Sequence, residues 1–264
     1  MNNPTILTRR PGADMAGVEL THIERAPIDI SAARIQHEEY RSRVCAQGAK
    51  LIDLPPLEGY PDGVFVEDVL VALPELFVIC RPGAASRRGE VASVEAALPR
   101  DRPVRRIEAP ATIDGGDVLQ IGRTLYVGRS TRTNEAGIAA LTQCVRPFAY
   151  QVVAIEVSLS LHLKTAVTFI PGGAILFNPD WVDAGNFGDW PRIEAAPEEP
   201  FAGNSLGVGD QLFMQAAHPA TASRVTKAGF PVERLDNREF AKAEAGLTCM
   251  SVIIPAPARA TRGD

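Results

Sequence analysis

Apolar positions in this chain come in short runs cut by glycine, proline and charge. Four of them, V-F-V-E-D-V-L-V-A-L at 64–73, D-V-L-Q-I-G-R-T-L-Y-V-G at 117–128, V-T-F-I-P-G-G-A-I-L-F at 167–177 and T-C-M-S-V-I-I at 248–254, are rich in β-branched residues and predict strands. I-G-R-T-L and I-P-G-G-A put turn residues between two apolar halves, so the second and third runs predict hairpins. Helical candidates lie between the strands. S-A-A-R-I-Q-H-E-E-Y-R-S-R-V-C-A-Q-G, from Ser31, has a serine cap, good helix formers and a C-terminal glycine. S-T-R-T-N-E-A-G-I-A-A-L-T-Q-C-V and P-A-T-A-S-R-V-T-K-A-G-F have the same character, the latter feeding the next strand. The proline-rich stretch P-R-I-E-A-A-P-E-E-P at 191–200 predicts a surface loop.

The polar residues fall at one place in this pattern. Glu67 and Asp68, Asp114 and Asp117, His162 and Lys164, Asn204, and Cys249 sit at or near the start of a strand-like run, at intervals of roughly 40 to 50 residues. Such spacing suggests a repeated unit. If the units pack around a common axis, the same position of each points into one central channel, which gathers carboxylates, a histidine and a cysteine. No linker marks a domain boundary, so one domain over 1–264 is expected, with about 255–264 as a flexible C-terminal tail.

Composition narrows the function classes. The 264 residues are 45% hydrophobic and 22% charged, enough to bury a sizeable core. Lys and Arg total 27 against 32 Asp and Glu, and no basic run could track a phosphate backbone, so nucleic acid is not an expected partner. The longest apolar stretch, 166–177, is broken by Pro171, Gly172 and Gly173 and is too short for a bilayer. The first residues lack the apolar segment of a secretory signal, and a soluble cytoplasmic protein is expected. Cys45, Cys80, Cys144 and Cys249 show neither a disulfide framework nor metal spacing, so no metal and no cofactor are expected.

Several residues invite chemistry, each with a plainer alternative. Cys249 could be a nucleophile, or a small apolar residue in a core. Only four histidines occur, at 22, 37, 162 and 218, and His162, flanked by leucines, could be an acid and base or a satisfied core histidine. In I-D-G-G-D-V-L, Asp114 could orient an imidazole, or the stretch could be a tight turn in which Gly115 and Gly116 permit positive φ or close backbone approach. Glu67 and Asp68 interrupt an apolar strand, where unpaired buried carboxylates cost several kcal/mol, so a cationic ligand group is one explanation. Arginines on the loops C-R-P-G-A-A-S-R-R-G-E and G-R-S-T-R-T-N suit a carboxylate. Together these describe a site for an amino acid with a positively charged side chain.

In order and spacing, D-G-V-F-V-E-D-V, R-P-G-A-A-S-R-R-G-E, I-D-G-G-D-V-L, R-T-N-E-A-G, L-H-L-K-T and L-T-C-M-S resemble the dimethylarginine dimethylaminohydrolase family, in the pentein superfamily of guanidino-group modifying enzymes. The resemblance runs from about residue 15 to residue 254. It implies an α/β fold, a five-bladed α/β propeller with pseudo-fivefold symmetry, and a metal-free hydrolase that converts methylated arginines to citrulline through a covalent thiouronium intermediate. By position it implies Cys249 as nucleophile, His162 as general acid and base, and Asp114 as the carboxylate that orients the histidine. Asp68 would bind the guanidinium, Asp62 and Glu67 would line the pocket, Arg87 and Arg132 would hold the substrate carboxylate, and a backbone contact near Leu20 would come from a loop that closes the pocket. A homodimer is the one macromolecular association left open. The alternatives are an arginine deiminase, from whose R-D and H-L-D patterns V-E-D and H-L-K-T differ, and a non-catalytic binder of guanidino ligands.

Overall fold

The computed structural model describes residues 4–258. The part of the expected tail at 259–264 lies outside the described residues; before it, the Ala258 amide donates to Pro74 O at 2.9 Å. Five three-stranded sheets make up the fold. The first joins β1 (Thr5–Arg9) and β2 (Lys50–Leu54) to the last strand, β15 (Ser251–Ile254). The others contain β3 (Leu70–Ala72), β4 (Phe77–Ile79) and β5 (Val104–Arg106); β6 (Val118–Ile121), β7 (Thr124–Arg129) and β8 (Gln151–Glu156); β9 (Val167–Ile170), β10 (Ala174–Phe177) and β11 (Arg192–Glu194); β12 (Leu206–Val208), β13 (Gln211–Gln215) and β14 (Val232–Leu235).

Each sheet has one design, an antiparallel pair followed by a third strand parallel to its middle strand. In the first sheet the antiparallel pair is β15 with β1, far apart in the chain, and β2 is the parallel strand. The predicted hairpins at 117–128 and 167–177 form, turned by Gly122 (φ +58) and by Gly172 and Gly173 (φ +96 and +97). Helices connect middle to outer strands in four sheets: α1 (Ile30–Cys45), α2 (Val91–Ala96), α3 (Glu135–Val145) and, after the short α4 (Leu163–Ala166) that leads from β8 into β9, α5 (Pro219–Lys227); the short α6 (Arg238–Ala241) leads from β14 toward β15. No helix of the described residues is long and apolar enough to cross a membrane.

Three expectations are corrected. The cap of α1 is Asp29, whose carboxylate accepts from the Ser31 and Ala32 amides, so Ser31 lies inside the helix. Residues 64–73 are not one strand: 3₁₀ turns cover Pro61–Val64 and Val66–Val69, and only Leu70–Ala72 is extended. Both carboxylates of V-E-D-V are buried, and the turn lets each reach its own cationic partner. The stretch 191–200 is not all loop, because Arg192–Glu194 pairs parallel to β10 and buries Ile193. Pro191 precedes that strand, where its missing N–H costs no ladder bond, and its carbonyl accepts from Ile175.

Candidate active site

Each sheet is entered through a short turn, and the turns meet. They are Val66–Val69 before β3, Gly115–Asp117 before β6, α4 before β9, Pro200–Gly203 before β12 and Thr248–Met250 before β15. At their junction Glu67 pairs with Lys164 at 2.7 Å and accepts from the Thr248 hydroxyl at 2.8 Å. Asn204 donates to Thr248 Oγ1 and to Lys164 O, both at 3.0 Å. The Gly-Gly pair serves close approach, not positive φ: a Cβ on Gly116 would lie 2.7 Å from both Asp68 Oδ1 and His162 Nδ1.

His162 caps α4 with its ring between two acids. Nε2 lies 3.1 Å from Asp114 Oδ2, and Nδ1 lies 3.7 Å from Asp68 Oδ1. Asp114 is fully buried and also accepts from the Gly83 amide at 2.9 Å. Asp68 accepts from the Gly116 amide and is ion-paired with Arg87. Burial opposes a charge on His162, but the neighbouring Asp68, the hydrogen bond to Asp114 and the Asp117 charge outweigh it and raise the ring to about 9. The Cys249 thiol is raised too: burial, then the Glu67 and Asp68 charges, push it well up, which favours its neutral form. These shifts favour a neutral thiol and a charged imidazole in the one cavity that both residues line.

Cys249 is carried by a well-held segment. Tyr40 of α1 donates to Leu247 O at 3.0 Å and bonds Ser251 Oγ at 2.7 Å, so the thiol sits between two positions tied to that helix. With Asp62, Phe65, Asp68, Arg87, Arg132, His162, Glu19 and Glu244 it lines a cavity of about 30 Å³, room for about one water molecule. The cavity is roofed by a strap around residues 14–25. Glu19 N donates to Asp62 at 3.2 Å, Arg132 donates to Thr21 Oγ1 at 3.3 Å, and the Glu244 carboxylate accepts from three consecutive strap amides, Thr21, His22 and Ile23. Arg132 thus faces the strap, 3.8 Å from the Glu19 carboxylate.

The chain is 40% identical over 253 residues to the N(G),N(G)-dimethylarginine dimethylaminohydrolase of Streptomyces coelicolor, covering 96% of this chain and 97% of that protein. The chain belongs to the dimethylarginine dimethylaminohydrolase family. Among solved structures, the family enzyme of Pseudomonas aeruginosa, a cysteine-to-serine mutant complexed with citrulline, superposes with a TM-score of 0.91 at 31% identity, covering 96% of this chain and all of that one. A histidine-to-glycine form of a dimethylarginine dimethylaminohydrolase, an adduct with S-methyl-L-thiocitrulline, gives the same TM-score, identity and coverage. No family model matches the chain.

Of the residues singled out in the sequence, Cys249, His162, Asp68, Asp62, Arg87 and Arg132 line the one cavity, and Asp114 stands directly behind His162. Two stand elsewhere. Glu67 lines a different cavity, of about 230 Å³, together with Lys164 and Thr248, because its carboxylate is taken up by those two. Leu20 is half-buried against the apolar cluster that contains Cys249, and the strap residue lining the cavity is Glu19. Arg87 is fully buried, its guanidinium shared among Asp68, Glu90 and the carbonyls of Asp62 and Phe65. Sequence reasoning passed over Glu90, although its i,i+3 spacing from Arg87 was a signal; Glu19 and Glu244, on distant loops, gave none. Asp68, Asp114 and His162 bring donor atoms within 4.8 Å of one another, as a metal site would, yet these donors are already engaged with Arg87, two amides and each other.

Proposed function

We propose that the protein hydrolyses asymmetric dimethylarginine and monomethylarginine to citrulline and dimethylamine or methylamine, with Cys249 as nucleophile. The observation that carries this reading is His162, held between Asp114 and Asp68, in the cavity that Cys249 lines. A guanidinium entering this cavity meets the Asp68 and Asp62 carboxylates, and its positive charge opposes the two carboxylate charges that hold the Cys249 proton on. The substrate thus favours the thiolate that attacks it, and because His162 already carries its proton, the thiol proton is released to solvent as the substrate binds. The guanidinium carbon, activated by its own charge, becomes tetrahedral on forming the C–S bond. Asp114 occupies Nε2, so the Nδ1 proton of His162, too far from Asp68 for a good hydrogen bond, passes to the departing amine. Neutral His162 then takes a proton from water, which attacks the thiouronium carbon and expels Cys249.

Arg132 holds the substrate carboxylate once Glu19 moves aside, a role its position at the cavity supports. Arg87 anchors Asp68 in this reading, because its guanidinium is already engaged. The five sheets form one domain closed into a ring, a propeller with pseudo-fivefold repeat; the common sheet design and the β15–β1 pairing support this. A cytoplasmic setting fits four cysteines that are all free.

The test is citrulline release from asymmetric dimethylarginine, monomethylarginine and arginine in parallel, with Cys249→Ser as the blank. Turnover of the methylated substrates, lost in the variant, is expected. Turnover of arginine alone would make the protein a deiminase, and no turnover of any would overturn the hydrolase reading.

A further inference from the structure

Asp117 makes no contact with the cavity, yet it touches the supports of three residues that do the work. It is fully buried. One carboxylate oxygen accepts from the Leu163 amide at 2.9 Å, fixing the first turn of α4 where its cap, His162, projects. The other accepts from the hydroxyls of Ser130 and Thr133, each at 2.6 Å. Ser130 Oγ in turn accepts from the Arg132 and Thr133 amides at 3.1 and 3.2 Å, and Thr133 Oγ1 accepts from the Asp114 amide at 3.2 Å. A Cβ on Gly128 would come within 2.7 Å of Asp117 Oδ1, so the backbone is cut back to admit the carboxylate.

We propose that Asp117 is a positioning residue that sets the His162 imidazole, the Asp114 main chain and the Arg132 loop in one register, so that substrate binding and proton transfer depend on the same buried carboxylate. The proposal rests on the hydrolase reading given above. The physical reason is the donor count. All the groups that reach Asp117 donate; Ser130 spends both of its lone pairs on the amides of residues 132 and 133, and Thr133 accepts the amide of residue 114. An asparagine must turn its NH2 either toward the Leu163 amide, which is itself a donor, or toward Ser130, whose lone pairs are taken, so Asp117→Asn must break one branch. Burial pushes the Asp117 carboxyl up to about 6, opposed by the His162 charge and by Ser130, Thr133 and Leu163 N–H, so the acid stays ionised at neutral pH.

The experiment compares Asp117→Asn, Ser130→Ala and wild type in the full chain, by kcat and KM for asymmetric dimethylarginine and by NMR titration of the His162 ring from about pH 6 to about pH 10. Asp117→Asn is expected to raise KM and lower kcat, each on the order of tenfold to a hundredfold, and to lower the His162 midpoint, which feels Asp68, Asp114 and Asp117. Ser130→Ala, which removes the contacts to the Arg132 and Thr133 amides but leaves the Thr133 hydroxyl and the Leu163 amide on Asp117, is expected to raise KM more than it lowers kcat. A folded Asp117→Asn with both constants and the His162 midpoint unchanged, or with activity lost only in proportion to unfolded protein, would overturn the proposal. If Asp117→Asn does not fold, a Ser130→Ala without a KM effect would do the same. The ring titration needs no turnover, so it separates failure of this proposal from failure of the hydrolase reading.

Discussion

With its buried imidazole raised to about 9 by Asp68 and the hydrogen bond to Asp114, His162 is expected on the proposed mechanism to set the alkaline limit of turnover. In that mechanism a cationic His162 protonates the leaving amine, so kcat for a methylated arginine is expected to fall as pH rises through about 9, measured by citrulline release across the range. The same raised value bears on stability. Its contribution is fully present below the unfolded value near 6.5 and is lost as pH rises through about 9. Arg87 gives a second prediction. Arg87→Ala would leave Asp68 and Glu90 buried without the guanidinium they share, at a cost of about 3–5 kcal/mol by denaturant unfolding. At this scale the sequence was most informative where a residue type is scarce: with four histidines and four cysteines, few pairs can meet. It was least informative about direction. Glu67 and Asp68 are neighbours in sequence, yet one faces Lys164 and the other Arg87, a division set by the turn they sit in.

The strap and the Glu244 segment form the element on which access depends. A cavity of about 30 Å³ has room for about one water, so on the proposed function the outer part of the strap, residues 19–23, moves to admit an amino acid, while Met15 and Val18 stay buried in the core. Beside the Glu19–Asp62 and Arg132–Thr21 bonds, the strap's hold on the body is the Glu244 carboxylate, which collects three amides from a backbone position with φ +57. Glu244→Ala removes those charge-assisted bonds and is expected to raise KM roughly tenfold, the effect of about 1.4 kcal/mol, with limited proteolysis near residue 20 accelerated. Hairpins were legible because their turns carry Gly122, Gly172 and Gly173 in conformations that favour glycine. The strand at Arg192–Glu194 was not, because its partner β10 supplies the reason for it to be extended and nothing in P-R-I-E names that partner.

Across the whole molecule, one local design recurs five times, and its period was visible in the sequence before any sheet was assigned, since every unit places its polar residues at the entrance to its first strand. What the period could not reveal is that the first unit is split, with β1 between β2 and β15. Leu7 is fully buried on β1 and lies opposite Val252. Leu7→Ala is expected to cost about 2–5 kcal/mol by denaturant unfolding and to loosen the strand that follows Cys249. The split also orders events during synthesis. His162, Asp114 and Asp68 leave the ribosome long before the cysteine, while β1 waits with one edge bare, a state in which a nascent chain is prone to mispair with its neighbours. The strand that covers that edge begins two residues after Cys249, so the thiol and the cover for the bare edge are delivered at the same moment of translation.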